Sequence, residues 1–432
     1  MGGNVITSLR LKDFKNFADE TLHVGPFTLI VGANASGKSN IRDAFRFLHG
    51  IGRGYSLAEI AGGKHEAGWG PIRGATNEIN RFQPRGTSPE ADQFSLEVKI
   101  VLPLLPARAL EDSGNVRYRI DVRAESSSDG ALSVADEALC FNSEEIYTAG
   151  IFEDENYIWG RSTPALSKAP YMPKTIGHAV SPSDDAFTLY GQLTLRPEMM
   201  LDVCRQLEGM RFFDFRPNRM REPASPGQTT LGDSGEYLPV VLREICSEEK
   251  RKSALVSWLR ELTPMDVEDF EFPSDPSGRI HLVICEANGA RVSADCASDG
   301  TLRFLAMLAA LLGKDFNHVY FFEEIENGLH PSRLHLLIDL IERVTADGSK
   351  QVIATTHSPQ VLSLVNESSF ESAAVVCRME DTNEAIIRRI ADIPNAKNLR
   401  KTQGLDRLLV GGWMETALAF TESNGDNEER SE

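Results

Sequence analysis

The stretch Gly32-Ala33-Asn34-Ala35-Ser36-Gly37-Lys38-Ser39 limits what this chain can fold into more than any other feature, because its glycine and lysine spacing works only between a strand and a helix. The flanking residues supply that setting. Phe27 to Val31 reads as a buried strand, and the residues after the loop place Ile41, Ala44, Phe45 and Leu48 on one helical face. Gly32 and Gly37 permit backbone angles and close approaches that a Cβ obstructs, so successive amides converge at the positive end of the helix. Such a loop cradles phosphate. Lys38 adds a mobile ammonium, and the Ser39 hydroxyl suits Mg²⁺, which prefers oxygen ligands while bridging phosphate oxygens. ATP with Mg²⁺ is the expected ligand, with Gly32, Asn34, Ala35, Ser36, Gly37, Lys38, Ser39 and Asn40 as candidate contacts.

A second polar set follows a second buried run. Val319-Tyr320-Phe321-Phe322 reads as a strand ending in Glu323 and Glu324, where carboxylates are costly unless used. One suits a water of the Mg²⁺ shell and the other an attacking water, which is most of what phosphoryl transfer asks of side chains. Glu323 is the candidate metal-side residue and Glu324 the catalytic one. Pro331 suits the start of a helix whose inner stripe is Leu334, Leu337, Ile338 and Ile341. Gln351 to Thr355 then form another buried strand, delivering Thr356, His357 and Ser358 at its carboxyl end, the edge where open α/β sheets bind ligands. His357 thereby joins Lys38 and Glu324 as a catalytic candidate, a partner for the γ-phosphate or the attacking water, although a lone histidine after a strand also fits a structural role.

The segment Ala297-Ser298-Asp299-Gly300-Thr301-Leu302-Arg303-Phe304 precedes a third pattern. Leu302, Leu305, Ala309 and Leu312 predict an amphipathic helix over Thr301 to Gly313. Ser298 and Gly300 stand before it, and a hydroxyl with unpaired amides at a helix start forms an anion site. Asp299 would repel phosphate there, so it is expected to cap its own helix and face away. An ordinary capped helix start is the other reading of the same residues.

The phosphate loop, the carboxylates followed by Glu326-Asn327-Gly328-Leu329-His330-Pro331, the Ser298 to Phe304 stretch and Thr355-Thr356-His357-Ser358-Pro359 together resemble the ABC-type ATPase heads of the SMC and RecF class. More narrowly, the chain resembles bacterial RecF-like AAA ATPases, which include the ATPase part of the overcoming-lysogenization-defect (OLD) nucleases and many phage-defence ATPases. Leu9 to Phe17, Phe212 to Pro223 and the segment ending at Trp413 share in the resemblance, whereas about Gly52 to Gln206 is weakly diagnostic.

The implied fold is α/β: an ABC-ATPase-like P-loop NTPase head with a mixed sheet, an antiparallel β lobe and a helical signature lobe, without a long coiled coil. The implied layout is one head over residues 1–420, its core from about 1–60 and 290–420, an accessory region at about 61–289, and a disordered acidic tail over 421–432. The resemblance also implies that Ser298 and Gly300 reach ATP held by Lys38 of a second subunit, so that ATP joins a homodimer; higher assemblies through the accessory lobe are compatible with it. A glutamine linking Mg²⁺ to the accessory lobe is implied as well, and Gln93 is its candidate against a plain surface role. Such sites usually carry aspartate where Glu323 stands; the extra methylene changes reach and keeps charge.

Family members without their own nuclease often act with a separately encoded nuclease or toxin, so the resemblance implies a phage-defence ATPase controlling an effector, with DNA repair or recombination as the alternative. About 75 residues follow His357, short of a usual domain, so a nuclease within this chain is not expected. A transporter subunit would place its carboxylates nearer the phosphate loop. A small-molecule kinase would not need Ser298 or His357.

The net charge of −18 argues against a wholly nucleic-acid-binding surface, leaving local grooves open. Arg211, Arg216, Arg219 and Arg221 form one candidate DNA-contacting cluster, and Arg388, Arg389, Lys397, Arg400 and Lys401 another; loop-locking ion pairs are the competing role. Cysteines 140, 204, 246, 285, 296 and 377 show no CxxC pair and read as reduced thiols. No apolar run approaches membrane-spanning length and charge interrupts the start from Arg10, so a cytoplasmic protein without a membrane partner is expected.

Overall fold

A computed structural model describes residues 5–64, 69–74, 79, 93–102, 114–124, 132–141, 144–150, 152–154, 157–159, 197–313, 318–358, 360–379, 384–393 and 396–402. The first elements are β1 (Val5–Phe14), β2 (Phe17–His23), β3 (Phe27–Val31), α1 (Lys38–Gly52) and α2 (Leu57–Gly62). Strands β4 (Gln93–Leu102), β5 (Gly114–Ala124), β6 (Leu132–Phe141) and β7 (Glu144–Gly150) follow, then the short pair β8 (Phe152–Asp154) and β9 (Tyr157–Trp159). After α3 (Pro197–Glu208) come β10 (Met210–Phe213), α4 (Pro217–Arg221), α5 (Leu238–Cys246) and α6 (Glu249–Leu262). The meander β11 (Val267–Glu271), β12 (Val283–Glu286) and β13 (Arg291–Ser293) leads to α7 (Asp299–Leu312) and β14 (Val319–Phe322). The chain continues through α8 (Leu334–Thr345), β15 (Gln351–Thr356), α9 (Val361–Leu364), α10 (Glu367–Glu371), β16 (Ala374–Arg378), β17 (Ala385–Arg389) and α11 (Ala396–Thr402).

Two compact units interleave along the sequence. The first comprises Met1–Gly25, Gly32–Met210 and Ala374–Asp392. Its sheet runs β16-β17-β2-β1-β4-β5-β6-β7 and is antiparallel except where β17 meets β2. Alternation in β4 explains its place: Phe94, Leu96, Val98, Ile100 and Leu102 are all buried, while the residues between them are not. On that face Phe94 meets Phe14 at 5.3 Å and Phe47 of α1 at 5.4 Å, both edge to face, which docks the helix on the sheet. The stripe Ile41, Ala44, Phe45 and Leu48 is buried as its spacing predicts. Beneath it lies a charge pair. Asp43 of α1, with a fully buried side chain, accepts from Lys15, itself 7% exposed and held in a left-handed turn at φ 54.

The second unit comprises Pro26–Val31, Arg211–Ala373 and Ile393–Glu432. Its sheet runs β10-β14-β15-β3. Strands β14, β15 and β3 pair in parallel and every residue in them is buried, as expected where a parallel sheet is covered on both faces. Phe213 of β10 stacks on Phe322 at 5.3 Å and on Phe215 at 5.1 Å, extending the apolar layer past the carboxyl end of β14. Helices α4 to α7 pack on one another in this unit, and the longest helix among the described residues, α1, has 15 residues, so no long coiled coil is present there.

One sequence expectation changes. The helix expected to be amphipathic is enclosed on nearly all sides: α7 buries ten residues from Thr301 to Leu311, because Phe304, Met307 and Leu311 add a second apolar face. Helices α5 and α6 follow one another with only Ser247 and Glu248 between them. All six cysteines are free thiols.

Replacing Asp43 by Ala leaves the Lys15 ammonium buried without its main carboxylate, and the expected cost is about 3–5 kcal/mol in urea unfolding. The double replacement Lys15→Met with Asp43→Leu should recover most of that loss. A single variant as stable as the parent would show that the pair contributes nothing.

Candidate nucleotide site

The phosphate loop begins where β3 ends. A Cβ on Gly32 would collide with the Val376 carbonyl oxygen of β16, and Gly37, at φ 118, lies where a Cβ would meet the Asn16 amide at 3.0 Å and the Phe17 ring at 3.1 Å. Both glycines are therefore required by their surroundings, and Ala35 shares the left-handed conformation at φ 61. Gly37 is the N-cap of α1 and offers no side chain to its first turn, which also holds no acidic residue. Amides there suit an anion. The Lys38 ammonium reaches back into the loop and donates to the carbonyls of Gly32 at 2.6 Å and Ala33 at 2.7 Å. The Ser36 hydroxyl is buried within the loop with no hydrogen-bond partner among the described residues. A cradle that a Cβ would fill, an uncapped helix start, a converging ammonium and an orphaned hydroxyl fit a bound triphosphate.

Sequence reasoning named Asn40 as a ligand contact and missed the residues that brace the loop around it. Asn40 donates to the Asn16 side chain at 2.7 Å, tying α1 to the turn between β1 and β2. The half-exposed Arg73 donates to the Ser39 carbonyl at 2.6 Å and to Asp43 at 3.2 Å, and Lys15 donates to the Arg73 carbonyl at 2.9 Å. No local spacing links residues 15, 43 and 73, so no sequence pattern could have announced them. Gln93 opens β4, and the register Lys12↔Ser95 sets it beside the same β1–β2 turn.

Glu323 and Glu324 leave the sheet where β14 ends. The Glu323 amide donates to the Phe213 carbonyl at 3.3 Å. Glu324 sits at φ 48, a conformation that costs a side-chain-bearing residue about 1–3 kcal/mol and tends to persist at functional sites. Its amide is held by the Thr355 hydroxyl at 3.0 Å, and its carboxylate accepts from the Asn327 side chain. A cavity of about 290 Å³ opens beside both carboxylates, lined also by Asp214, Arg303 and Asn327. His357 follows β15 directly. Its amide donates to Glu326 Oε1 at 3.0 Å and its ring Nδ1 lies 3.2 Å from the same oxygen. Glu326 and Asn327 were part of the quoted motif without being read as site residues.

Ser298 and not Asp299 caps α7, which corrects the expectation for the aspartate. The Ser298 hydroxyl accepts from the Thr301 amide at 3.1 Å and lies 2.9 Å from the Thr301 hydroxyl. Asp299 is the first helical residue and pairs with Arg221 at 2.7 Å, because that arginine already reaches the Ala297 carbonyl at 2.9 Å. Gly300 packs backbone to backbone on Gly328, four residues past Glu324, so closely that a Cβ would overlap the Gly328 carbonyl.

The basic clusters are locked by ion pairs. Arg211 pairs with Asp233, Arg216 with Asp214, Arg219 with Glu222 and Arg221 with Asp299. In the other cluster Arg388 pairs with Glu20, Arg389 with Asp392, Lys397 with Glu371 and Arg400 with Glu367. The segment ending at Trp413 and the acidic tail lie outside the described residues. No helix among the described residues is long and apolar enough to cross a membrane.

Residues 27–98 and 265–363 match the family described as "AAA domain, putative AbiEii toxin, Type IV TA system". Over 63 residues the chain is 44% identical to the chromosome partition protein Smc of Clostridium kluyveri, covering 14% of this chain and 5% of that one. Over 73 residues it is 36% identical to an ATP/GTP phosphatase of Helicobacter pylori, covering 16% of this chain and 19% of that one. Each match thus spans less than a fifth of the relative. Similar solved structures include an Smc head bound to the C-terminal winged-helix domain of ScpA, at TM-score 0.48 and 15% identity over 89% of this chain and 98% of that one. The SMC head of Thermotoga maritima gives 0.41 and 13% over 89% and 98%. Residues 27–98 and 265–363 are thus similar to an AAA domain.

Gly300→Ala should lose about 1–3 kcal/mol of stability through overlap with Gly328, read as a lower urea midpoint. Gly62→Ala, with nothing within 4 Å of its added Cβ, is the control expected to stay near the parent midpoint.

Proposed function

We propose that the chain is an ATP-binding and ATP-hydrolysing switch that works as a dimer and controls a separately encoded effector. The observation that carries this reading is the parallel register of three strands. Thr356 pairs with Val31 and Ala354 with Phe322, so the residues that follow each strand at one sheet edge are Gly32, Glu323 and His357. That is the edge at which open α/β sheets take ligands.

In this reading the loop amides and Lys38 bind the phosphates, Glu324 orients the attacking water, and His357 meets the γ-phosphate. Ser39 and Glu323 would hold Mg²⁺, with Gln93 as a further contact; the ion would supply charge neutralisation of the phosphates. Ser298 and Gly300 would serve the nucleotide of a second copy. The name of the Helicobacter pylori relative supports triphosphate hydrolysis. The family description, which names a toxin of a type IV toxin–antitoxin system, favours control of an effector in phage defence over DNA repair. So do the ion pairs that occupy both arginine clusters.

Three variants test the reading. Lys38→Ala should lose nucleotide binding, Glu324→Gln should bind with turnover reduced at least about 100-fold, and Ser298→Arg should bind without assembling. Light scattering with Mg-ATP is expected to show a mass increase for Glu324→Gln only. Undiminished hydrolysis by Ser298→Arg would remove the second copy from the site.

A further inference from the structure

We propose that Glu326 is the positioning residue for His357: it holds the imidazole through Nδ1 and presents Nε2 to the nucleotide. This inference rests on the reading of the carboxyl edge as the nucleotide site.

The argument starts from the backbone. His357 is the first residue beyond β15, so its amide has left the sheet ladder and needs an acceptor. Glu326 Oε1 provides one at 3.0 Å and lies 3.2 Å from Nδ1 of the same residue. One oxygen therefore bonds the chain and stands beside the ring nitrogen. An acceptor facing Nδ1 selects the form protonated there, which leaves the lone pair of the neutral ring on Nε2; when the ring is charged, Nε2–H becomes the donor.

The burial is asymmetric in the same sense. The Glu326 side chain is 12% exposed and the His357 side chain 45%, so the carboxylate is the inner anchor and the ring faces outward. Glu326 Oε2 is buried and has no hydrogen-bond partner among the described residues. The neighbouring carboxylate, Glu324, accepts from Asn327 instead. Two glutamates two residues apart thus hold different groups: Glu324 stands toward the attacking water, and Glu326 sets the histidine.

The test uses the full chain labelled with ¹⁵N-histidine. The signal that disappears in His357→Gln identifies the ring, whose neutral form should be protonated at Nδ1 in the parent. Glu326→Ala should shift it toward Nε2–H and lower kcat for Mg-ATP by roughly 10- to 100-fold, with KM within about threefold. Glu326→Gln, whose amide oxygen still accepts both bonds, should keep the Nδ1–H form and most of the turnover. An unchanged tautomer or unchanged kcat in Glu326→Ala overturns the proposal, and so does Glu326→Gln with the ring released. If Glu326→Ala does not fold, the ring form and turnover of Glu326→Gln decide alone. Absence of turnover in the parent would sink the ATPase reading instead, leaving the tautomer to decide whether Glu326 holds His357.

Discussion

The parallel pairing of β3, β15 and β14 is the constraint on which the rest of the structure depends. All three strands are buried throughout, so each packs against neighbours on both faces. A slip of one residue would move each strand end by about 3.3 Å and turn every side chain to the opposite face. The loop glycine, the carboxylates and the histidine follow these strand ends directly, and local contacts hold them there: Gly32 against β16, the Glu324 amide on Thr355 and the His357 amide on Glu326.

Close backbone approach is the second recurring device. Gly32 lies against β16, and Gly300 lies against Gly328 in the turn that follows the carboxylates. In both cases the absence of a Cβ lets one polar segment settle on another without an intervening side chain. The Gly300–Gly328 contact joins the start of α7 to the loop carrying Glu324 and Glu326, so displacement of either is felt by the other.

Much of this was legible in the sequence, for identifiable reasons. Strands such as Phe27–Val31 and Val319–Phe322 announce themselves because parallel strands are continuously apolar, and α1 does so because its buried stripe has helical spacing. Helix α7 shows four apolar residues at amphipathic spacing, yet the apolar residues between them bury its other faces too. Asp299 and Ser298 are comparable caps by residue type, and Arg221, seventy-eight positions away, decides between them. Arg73, Asp43 and Lys15 converge only through the fold, so their role in bracing the loop left no trace in local spacing.

The inward-folded ammonium of Lys38 has one more consequence. Its two bonds to the carbonyls of Gly32 and Ala33 tie the first turn of α1 back to the residues that open the loop. The segment from Gly32 to Lys38 is thereby closed into a ring by a side chain as well as by backbone, and the rotamer entropy of a long lysine is surrendered within the fold itself.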